Sequence, residues 1–548
     1  MHGQMMDRPL LVSSLIDYAA DIHGAGVVVS KRVEGDVHRY SYRDARGRIG
    51  QLANALLGLG VRPGDRIATM ACNGHRHFEV YYAASGIGGV CHTINPRLFP
   101  EQLVYIVNHA RDRLLFVDLT FIPLLESLIA RMPSLERVIV MTDAAHMPDT
   151  PLPGLLCFEE LLQGQPGAIS WPELEENAAA SLCYTSGTTG NPKGVLYSNR
   201  STVLHALSVG LVSESVRLTQ NDRVLPVVPL FHVNAWALPY VAPITGAALV
   251  FPGPKLDGAS LFDLMESERV TAGWGVPTVW LSLLAEMGKR QARPAALRSL
   301  LIGGSAVPRA MIEAFENDWS IEVIHGWGMT EMSTVGTLGI LRPEQAARPA
   351  EERMARKLRQ GRRMLLVDMK IAAPDGKRLP HDGMAAGELL VRGPAITSGY
   401  YDDAEASRGA FDAEGWFRTG DIATIDPDGF MLIVDRVKDI IKSGGEWVSS
   451  IDVENAAMGH PGVAEAAVIG LPHPKWSERP LLILVAKEGA ALCKEDVLHF
   501  LATRIARWWL PDDVVFVSEL PHTATGKLLK SKLREQFKDY RLPTAKTD

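Results

Sequence analysis

Short apolar runs rich in β-branched residues alternate with amphipathic segments through the first quarter of the chain. The segment Pro100–Ala110 predicts a helix, because proline suits a first helical position and Leu103, Ile106 and Val107 recur on one face. Strands are predicted at residues 66–72, 90–94, 113–118 and 137–142. This alternation predicts an α/β fold in which helices flank mainly parallel sheets.

The pattern changes near Asp435. Strands predicted at residues 464–469, 481–485 and 514–517 enclose a helix predicted at residues 495–505. We therefore predict a large N-terminal domain at residues 1–435 and a small α+β C-terminal domain at residues 436–548.

Two segments have unusual charge patterns. Residues 224–254 contain no Asp, Glu, Lys or Arg and are long enough to cross a bilayer. Six prolines interrupt them, and a proline inside a helix removes a hydrogen bond that lipid cannot replace, which favours buried strand, loop and short helix. Residues 342–363 crowd charges of both signs, which indicates a helix with a solvated face rather than a binding patch.

The overall charge argues against nucleic acid and anionic membrane as partners. The 63 acidic and 56 basic residues leave a net charge of −7 without a basic stripe. Asp17 interrupts the N-terminal apolar run, and the final residues are no peroxisomal address, so we expect a cytoplasmic protein without a transmembrane segment. Five widely spaced cysteines without a CxxC pair indicate reduced thiols: Cys72, Cys91, Cys157, Cys183 and Cys493.

The loop after the apolar run 178–184 carries the strongest chemical signal. Residues 184–194 read YTSGTTGNPKG and combine three glycines, four hydroxyls of Ser and Thr, and one lysine. Glycines let successive backbone N–H groups converge on one anion, while hydroxyls and the lysine add donors and charge. Such a loop suits a polyphosphate. It lacks the Walker spacing, and a flexible surface turn is the ordinary alternative.

This segment resembles the signature of the acyl-adenylate-forming, or AMP-binding, superfamily, which includes fatty acyl-CoA ligases, aryl-CoA ligases, peptide-synthetase adenylation domains and beetle luciferase. Four further motifs of that superfamily follow in order: GWGMTE at 326–331, WFRTGD at 416–421, DRVKD at 435–439 and TGK at 525–527. Five ordered motifs across nearly the whole chain are far more specific than one glycine-rich match.

The resemblance implies an ATP-dependent ligase that joins a carboxylic acid to coenzyme A through an acyl-adenylate, with Mg²⁺ as its metal. Two anions must meet in its first step, so cations and N–H donors are needed where negative charge accumulates. It implies that Thr330 contacts the α-phosphate and that Glu331 and Thr185 bind magnesium. The residues that it implies for ATP binding are Thr185, Ser186, Gly187, Thr188, Thr189, Gly190, Lys193, Gly304, Ser305, Gly326, Trp327, Gly328, Asp421 and Arg436.

Four of the implied site residues have ordinary alternatives. Trp327, where many relatives have tyrosine, would lie against adenine, or it is a core tryptophan. Asp421 would accept hydrogen bonds from the ribose hydroxyls and Arg436 would bind the ribose from the other side, but either alone could be a surface charge. Lys527, in the setting PHTATGK, resembles the catalytic lysine that reaches the attacking carboxylate and the α-phosphate, although a lone lysine is usually solvated.

The acid side is implied by FHVNAW at 231–236 and GGSA at 303–306. In fatty acyl members His232 would lie near the substrate carboxylate, as a catalytic and acyl-binding residue, and Trp236 would lie beside the acyl channel entrance. Gly303 would let the acyl chain run close to the backbone. A histidine in an apolar run is otherwise a satisfied core residue.

The resemblance also implies that the small domain is mobile. It would rotate about Lys438, so that Lys527 serves the first reaction and the loop Gly444, Gly445, Glu446 and Trp447 lines the path of the CoA thiol in the second. The small-molecule substrates are then the only partners required, and a homodimer is left open as the assembly.

Among relatives, the chain most resembles bacterial medium-chain acyl-CoA ligases, because it shares three of their sequence motifs: HTINPRLF at 92–99, GGSA at 303–306 and IKSGGEW at 441–447. The same motifs occur in ligases for short thioether acids such as 3-methylmercaptopropionate. The motifs therefore leave both a medium-chain fatty acid and such a thioether acid as candidate substrates. Other readings are a luciferase-like oxygenase, a module that loads a carrier protein and a non-catalytic nucleotide-binding relative. The last would be expected to lose Glu331 or Lys527, and both are present.

Overall fold

The computed structural model of the chain describes residues 1, 3–185, 191–212, 218–444, 446–522 and 528–545, and for Glu446 the backbone alone. Within these residues the fold is α/β with three sheets. The strands are β1 Val27–Lys31, β2 Val37–Ser41, β3 Arg66–Met70, β4 Val90–Thr93, β5 Leu114–Val117, β6 Arg137–Val140, β7 Leu156–Cys157, β8 Ala179–Tyr184, β9 Gly194–Ser198, β10 Arg223–Pro226, β11 Ala248–Phe251, β12 Ala272–Gly275, β13 Ser299–Ile302, β14 Glu322–Met329, β15 Thr334–Leu338, β16 Gly361–Arg363, β17 Asp368–Ala372, β18 Gly387–Arg392, β19 Phe417–Ile425, β20 Phe430–Arg436, β21 Ile441–Ser443, β22 Glu446–Val448, β23 Val463–His473, β24 Ser477–Ala486 and β25 Asp513–Phe516.

Helices cover both faces of the sheets, as the alternating pattern predicts. The helix Pro100–Ala110 is confirmed, and its stripe of Leu103, Ile106 and Val107 is fully buried against the first sheet. The described α-helices are Ser13–Ile22, Tyr42–Gly58, His75–Gly86, Pro100–Ala110, Ile122–Leu128, Phe158–Leu162, Asn199–Leu211, Leu238–Thr245, Gly258–Ser267, Pro277–Arg290, Arg309–Glu313, Pro343–Ala346, Ala350–Lys357, Ala404–Gly409, Ser450–Met458, Lys494–Ala502 and Lys530–Gln536.

The first sheet has seven strands in the order β7-β6-β5-β3-β4-β8-β9. Its neighbours run parallel except for β8 and β9, which form an antiparallel pair. The four strands predicted in this region are confirmed as β3 to β6. The turn between β8 and β9 therefore leaves the sheet where the glycine-rich loop begins.

The second sheet has thirteen strands in the order β17-β18-β19-β20-β16-β15-β14-β13-β12-β10-β11-β1-β2. Strands β10 to β14 pair in parallel, whereas β14 to β20 pair antiparallel. The sequence did not predict this antiparallel half. Residues 224–254, predicted to be buried, form β10, β11 and a helix between them. Among the described residues, no helix is both long and apolar enough to span a membrane.

The third sheet lies in the last hundred residues and joins β21 to β25, with β23 and β24 as its longest pair. The predicted strands and the helix of the small unit are confirmed as β23, β24, β25 and Lys494–Ala502. Because β20 still pairs with β19 as far as Arg436, the large sheet ends at this residue. The boundary between residues 435 and 436 remains a prediction.

The single charged helix predicted at residues 342–363 is wrong. The structure has two short helices, Pro343–Ala346 and Ala350–Lys357, and then strand β16. Pro349 separates the helices, because proline disfavours helical conformation in the residue before it. The solvated face is confirmed, since most side chains of Ala350–Lys357 are exposed or partly exposed.

Candidate active site

A cavity of about 740 Å³ lies between the large domain and the small one. Strand β13 ends at Ile302, which pairs with His325 of β14, so Gly303 lies beside Gly326. Strand β14 continues to Met329, and Thr330 follows it along the cavity. The predicted site residues that line it are Thr185, Lys193, His232, Trp236, Gly303, Gly304, Ser305, Gly326, Trp327, Gly328, Thr330, Glu331, Arg436 and Lys438. Residues as far apart in the chain as Thr185 and Lys438 are thus gathered around one cavity.

Some predicted residues are not tested by this geometry. Ser186, Gly187, Thr188, Thr189 and Gly190 lie outside the described residues, and so do Gly445 and Lys527. The described neighbours of Lys527 nevertheless line the cavity: His522 on one side, and Leu528 and Leu529 on the other.

The two ends of the glycine-rich loop are tied together at the cavity. The backbone N–H of Thr185 donates to the carbonyl of Lys193 at 2.9 Å, and the N–H of Lys193 donates to the Thr185 hydroxyl at 3.1 Å. The Lys193 ammonium lies 4.8 Å from the centre of the Tyr400 ring. Its charge therefore stands over an aromatic face, beside the loop that the sequence assigns to phosphate.

Glu331 is held in place by a tyrosine that the sequence analysis did not single out. Thr330 and Glu331 form a short turn between β14 and β15, and each is 8% exposed. The Tyr400 hydroxyl donates to Oε1 of Glu331 at 2.8 Å, and the Tyr197 hydroxyl donates to the carbonyl of Thr330 at 2.6 Å. Burial, and then the Glu331 carboxylate, raise the pKa of Tyr400, so its proton stays on the phenol.

The Tyr400 contact has no signature in the sequence. Tyr400 follows a turn more than sixty residues after Glu331, in a segment without periodicity or a known motif. A residue that meets its partner only through tertiary packing is visible only in a structure.

Trp327, Asp421 and Arg436 form one hydrogen-bonded group. The indole N–H of Trp327 donates to Oδ2 of Asp421 at 3.0 Å, and Nε of Arg436 lies 2.8 Å from Oδ1. Asp421 and Arg436 are paired residues of β19 and β20, which explains why the two motifs meet. A carboxylate has about four acceptor positions, so two remain on Asp421 after these donors are counted. Asp421 is not itself among the described residues that line the cavity.

The acid side of the cavity contains an unusual backbone. Five consecutive residues, 233–237, have φ between 46° and 67°, in the left-handed region. Each residue other than glycine in such a turn costs about 1–2 kcal/mol, so the surrounding packing must offset the strain. Trp236 belongs to this turn and is 6% exposed. The turn directs its indole to the cavity wall.

Gly303 packs closely against this indole. A Cβ atom added to Gly303 would lie 2.7 Å from the carbonyl oxygen of Gly326 and 3.3 Å from Cη2 of Trp236. Because the first contact is with backbone, a side chain at this position would force the strands apart. Packing against Gly326 and Trp236 therefore requires glycine at position 303, and the close approach of an acyl chain to this backbone stays a prediction.

On the small domain, Lys530 anchors the segment that follows Lys527. Its ammonium lies 2.7 Å from Oε1 of Glu454 and donates to the hydroxyl of Ser450 at 2.5 Å. Ser450 in turn donates from its N–H and hydroxyl to Oδ2 of Asp435, both at 2.7 Å. Asp435 lies at the end of the large sheet, so this buried group joins the two domains.

Two described residues of the loop predicted to line the thiol path, Gly444 and Trp447, are not among the residues that line the cavity. The N–H of Gly444 donates to the carbonyl of Trp476 at 2.8 Å, and a Cβ atom added to Gly444 would lie 2.8 Å from the Trp476 indole. Gly444 has φ +61°, where glycine is favoured.

The cavity offers few protein ligands for magnesium, so phosphate oxygens of a nucleotide would complete its coordination. Among the described residues, no group of three His, Cys, Asp or Glu side chains could hold a metal ion by itself. Glu331 supplies one carboxylate to the cavity. Mg²⁺ is commonly bound by one or two carboxylates, water and phosphate oxygens of a nucleotide, so the residues present fit that ion.

Comparison with protein families identifies the chain. The AMP-binding enzyme family matches residues 18–401. The chain belongs to this family. The C-terminal domain of AMP-binding enzymes matches residues 452–527. The resemblance drawn from the five motifs is therefore confirmed.

Individual relatives match over almost the full chain. The 3-methylmercaptopropionyl-CoA ligase of Ruegeria lacuscaerulensis is 48% identical over 541 residues, which are 98% of this chain and 99% of that protein. The medium-chain-fatty-acid–CoA ligase of Ectopseudomonas oleovorans is 46% identical over 540 residues, 98% of each. The crystal structure of the anthranilate CoA ligase AuaEII in complex with anthranoyl-AMP has a TM-score of 0.85 at 26% identity, covering 97% of this chain and 98% of that one.

Proposed function

We propose that this AMP-forming acyl-CoA ligase activates a medium-chain fatty acid. In the first step a carboxylate oxygen attacks the α-phosphorus of ATP, a C–O–P linkage forms, and the bond to pyrophosphate breaks. In the second step the sulfur of deprotonated coenzyme A attacks the acyl carbon, and AMP leaves with the bonding electrons. CoA ligation as the second step is supported over a luciferase-like oxygenation by two relatives of 48% and 46% identity, both named as CoA ligases.

One observation carries the proposal: a single cavity joins a polar end to an apolar wall. The polar end contains Lys193 and Glu331, and the wall is formed by residues such as Val233, Trp236 and Leu281. Its volume of about 740 Å³ is within the range of about 300–1,000 Å³ usual for small-molecule sites. A carboxylic acid with an apolar tail matches this polarity from end to end.

At the polar end of the cavity, we propose that side chains of the protein bind the phosphate groups and the magnesium ion. Lys193 and the loop that follows Thr185 are proposed to hold the leaving pyrophosphate, and Thr330 to donate to the α-phosphate. Glu331, oriented by Tyr400, and Thr185 would hold magnesium. When bound, magnesium would neutralise phosphate charge.

The adenine would lie against the face of the Trp327 indole, and the ribose would lie toward Asp421 and Arg436. The indole offers a large flat surface to adenine, and its N–H holds Asp421 in one orientation. The ribose hydroxyls would donate to the remaining acceptor positions of Asp421.

We assign the observed arrangement of the domains to the adenylation step. Support comes from Leu528 and Leu529, which follow Lys527 and line the cavity, while Gly444 lies against Trp476. Thioester formation would need a rotation about Lys438 that brings the 444–447 loop to the acyl-adenylate. His232 would then lie close to the acyl carbonyl in both steps, because it belongs to the large domain.

We also propose a cytoplasmic location for the protein. All five cysteines are free thiols, which supports the reducing environment of the cytoplasm. A homodimer stays a prediction.

A second acid, 3-methylmercaptopropionate, is favoured by the Ruegeria relative. Burying one methylene contributes about 0.8 kcal/mol, so two carbons change affinity only about fifteenfold unless a side chain closes the channel. The position of a side chain that closes the acyl channel is independent of the motifs that bind phosphate.

The test is a screen of carboxylic acids of increasing chain length, with 3-methylmercaptopropionate included and acyl-CoA measured by mass spectrometry. We expect kcat/KM to rise with length to a maximum among medium-chain acids. A maximum at 3-methylmercaptopropionate would transfer the assignment to that acid. Absence of acyl-CoA with every acid, while ATP is still consumed, would refute CoA ligation.

Replacing Trp236 with alanine should change the dependence of kcat/KM on acid length by about tenfold across the series and the KM for ATP by less than about twofold. The indole forms part of the wall beside Gly303, so its removal opens space only on the acid side. Trp171→Ala, which removes a tryptophan that lies outside the described cavity lining, is the control. A uniform loss for all acids together with weaker ATP binding would place Trp236 in the core instead.

A further inference from the structure

The left-handed turn at residues 233–237 is held by one buried amide. Asn234 lies at its second position, is 5% exposed and has φ 51° and ψ 42°. Asparagine is the one residue type in this turn that adopts left-handed conformations readily.

The side chain of Asn234 reaches two other elements of the large domain. Its Nδ2 donates to the hydroxyl of Ser181 on β8 at 3.0 Å. Its Oδ1 accepts from the Tyr81 hydroxyl at 3.2 Å and from the Cys183 thiol at 3.4 Å. The Thr334 hydroxyl donates to the carbonyl of Val233 at 3.0 Å and ties the turn to β15 as well.

These contacts connect the two ends of the cavity. Ser181 and Cys183 precede Thr185 on the strand that leads into the glycine-rich loop. The turn that they hold contains Trp236 and begins next to His232, whose carbonyl accepts from the N–H of Ala235 at 3.1 Å. These contacts thereby fix the position of the acid-binding wall relative to β8, the strand that precedes the glycine-rich loop.

We propose that Asn234 is a positioning residue for acid binding: its amide fastens the left-handed turn to β8 and so sets where Trp236 and His232 stand relative to the glycine-rich loop. Asn234 itself is not among the described residues that line the cavity. This inference rests on the proposed function, because the readout is the binding of a carboxylic acid.

The experiment measures acid-dependent exchange of pyrophosphate into ATP by the full-length chain. Asn234→Ala removes both the amide and the left-handed preference, and Asn234→Gly removes the amide alone. We expect the KM for the acid to rise about tenfold in Asn234→Ala and about threefold in Asn234→Gly, with the KM for ATP changed less than about twofold. Asn234→Asp, which keeps an oxygen acceptor toward Tyr81, should fall between the wild-type chain and Asn234→Ala.

A second variant tests the route through β8. Ser181→Ala removes only the acceptor of the Asn234 amide, and Ser181 is fully buried but not part of the described cavity lining. It should reproduce part of the rise in acid KM, and combining it with Asn234→Ala should add little, because both changes break the same contact. If Asn234→Ala does not fold, Ser181→Ala and Asn234→Gly decide the question.

The matched control is Asn199→Ala. Asn199 is another buried asparagine with two hydrogen bonds, to the N–H of Val12 and the carbonyl of Ala178, at the opposite end of β8. It should lower thermal stability without raising the acid KM. An unchanged acid KM in folded Asn234→Ala and Ser181→Ala, or an equal rise in the KM for ATP and acid, would overturn the inference. A wild-type chain without exchange for any acid would instead refute the proposed function, and this inference with it.

Discussion

Lys527→Ala is expected to slow acyl-adenylate formation by about 10²–10³-fold and to leave the conversion of supplied acyl-AMP to acyl-CoA within about threefold of wild type. The charge of the lysine is needed while the carboxylate attacks the phosphate, and the second step takes place after the pyrophosphate has left. Lys527 lies outside the described residues, and the described residues on either side of it, His522 and Leu528, line the cavity.

The two half-reactions are measured separately for this test. Single-turnover release of pyrophosphate reports the first step, and acyl-CoA formed from purified acyl-AMP reports the second. Lys532→Ala is the matched control, since Lys532 is exposed in the following helix. Equal loss in both half-reactions would make Lys527 a structural residue and would remove the catalytic assignment.

Lys530→Met should destabilise the small domain by about 3–5 kcal/mol, because it removes the cation from a buried group and leaves the carboxylates behind. Lys530 is 8% exposed and lies 2.7 Å from Glu454. Urea unfolding followed by circular dichroism measures the change. Lys538→Met, which breaks the exposed pair with Glu535, is the control and should change the free energy of unfolding far less, because solvent screens an exposed ion pair.

The loss of unfolding free energy in Lys530→Met, relative to wild type, should also become larger as the pH rises. Burial already raises the pKa of Glu454 and of Asp435, and loss of the neighbouring cation raises both further. A carboxyl whose pKa is higher in the folded state than in the unfolded state binds more protons when folded. Stability is therefore lost as pH rises above the unfolded value near 4, and the variant should be least impaired in mild acid. A deficit independent of pH would show that lost packing, not charge, is the cause.

The sequence by itself determined the features that depend on neighbouring residues. Periodicity was sufficient for the helix Pro100–Ala110 and for strands β3 to β6, because a buried face imposes its period on the chain. The glycine-rich loop was recognisable because phosphate binding needs convergent backbone N–H groups, and these require glycines close together in sequence. The five ordered motifs then placed the chain in its family.

Tertiary structure decided what depends on residues far apart in the chain. The antiparallel half of the large sheet is set by pairing between distant strands, which no local period reports. Tyr400 reaches Glu331, and Lys530 reaches Glu454, only after the chain has folded. The left-handed turn at residues 233–237 contradicts local preference and persists because buried hydrogen bonds and packing from other elements hold it. Local propensity is worth a few tenths of a kcal/mol per residue, so such contacts override it wherever they act together.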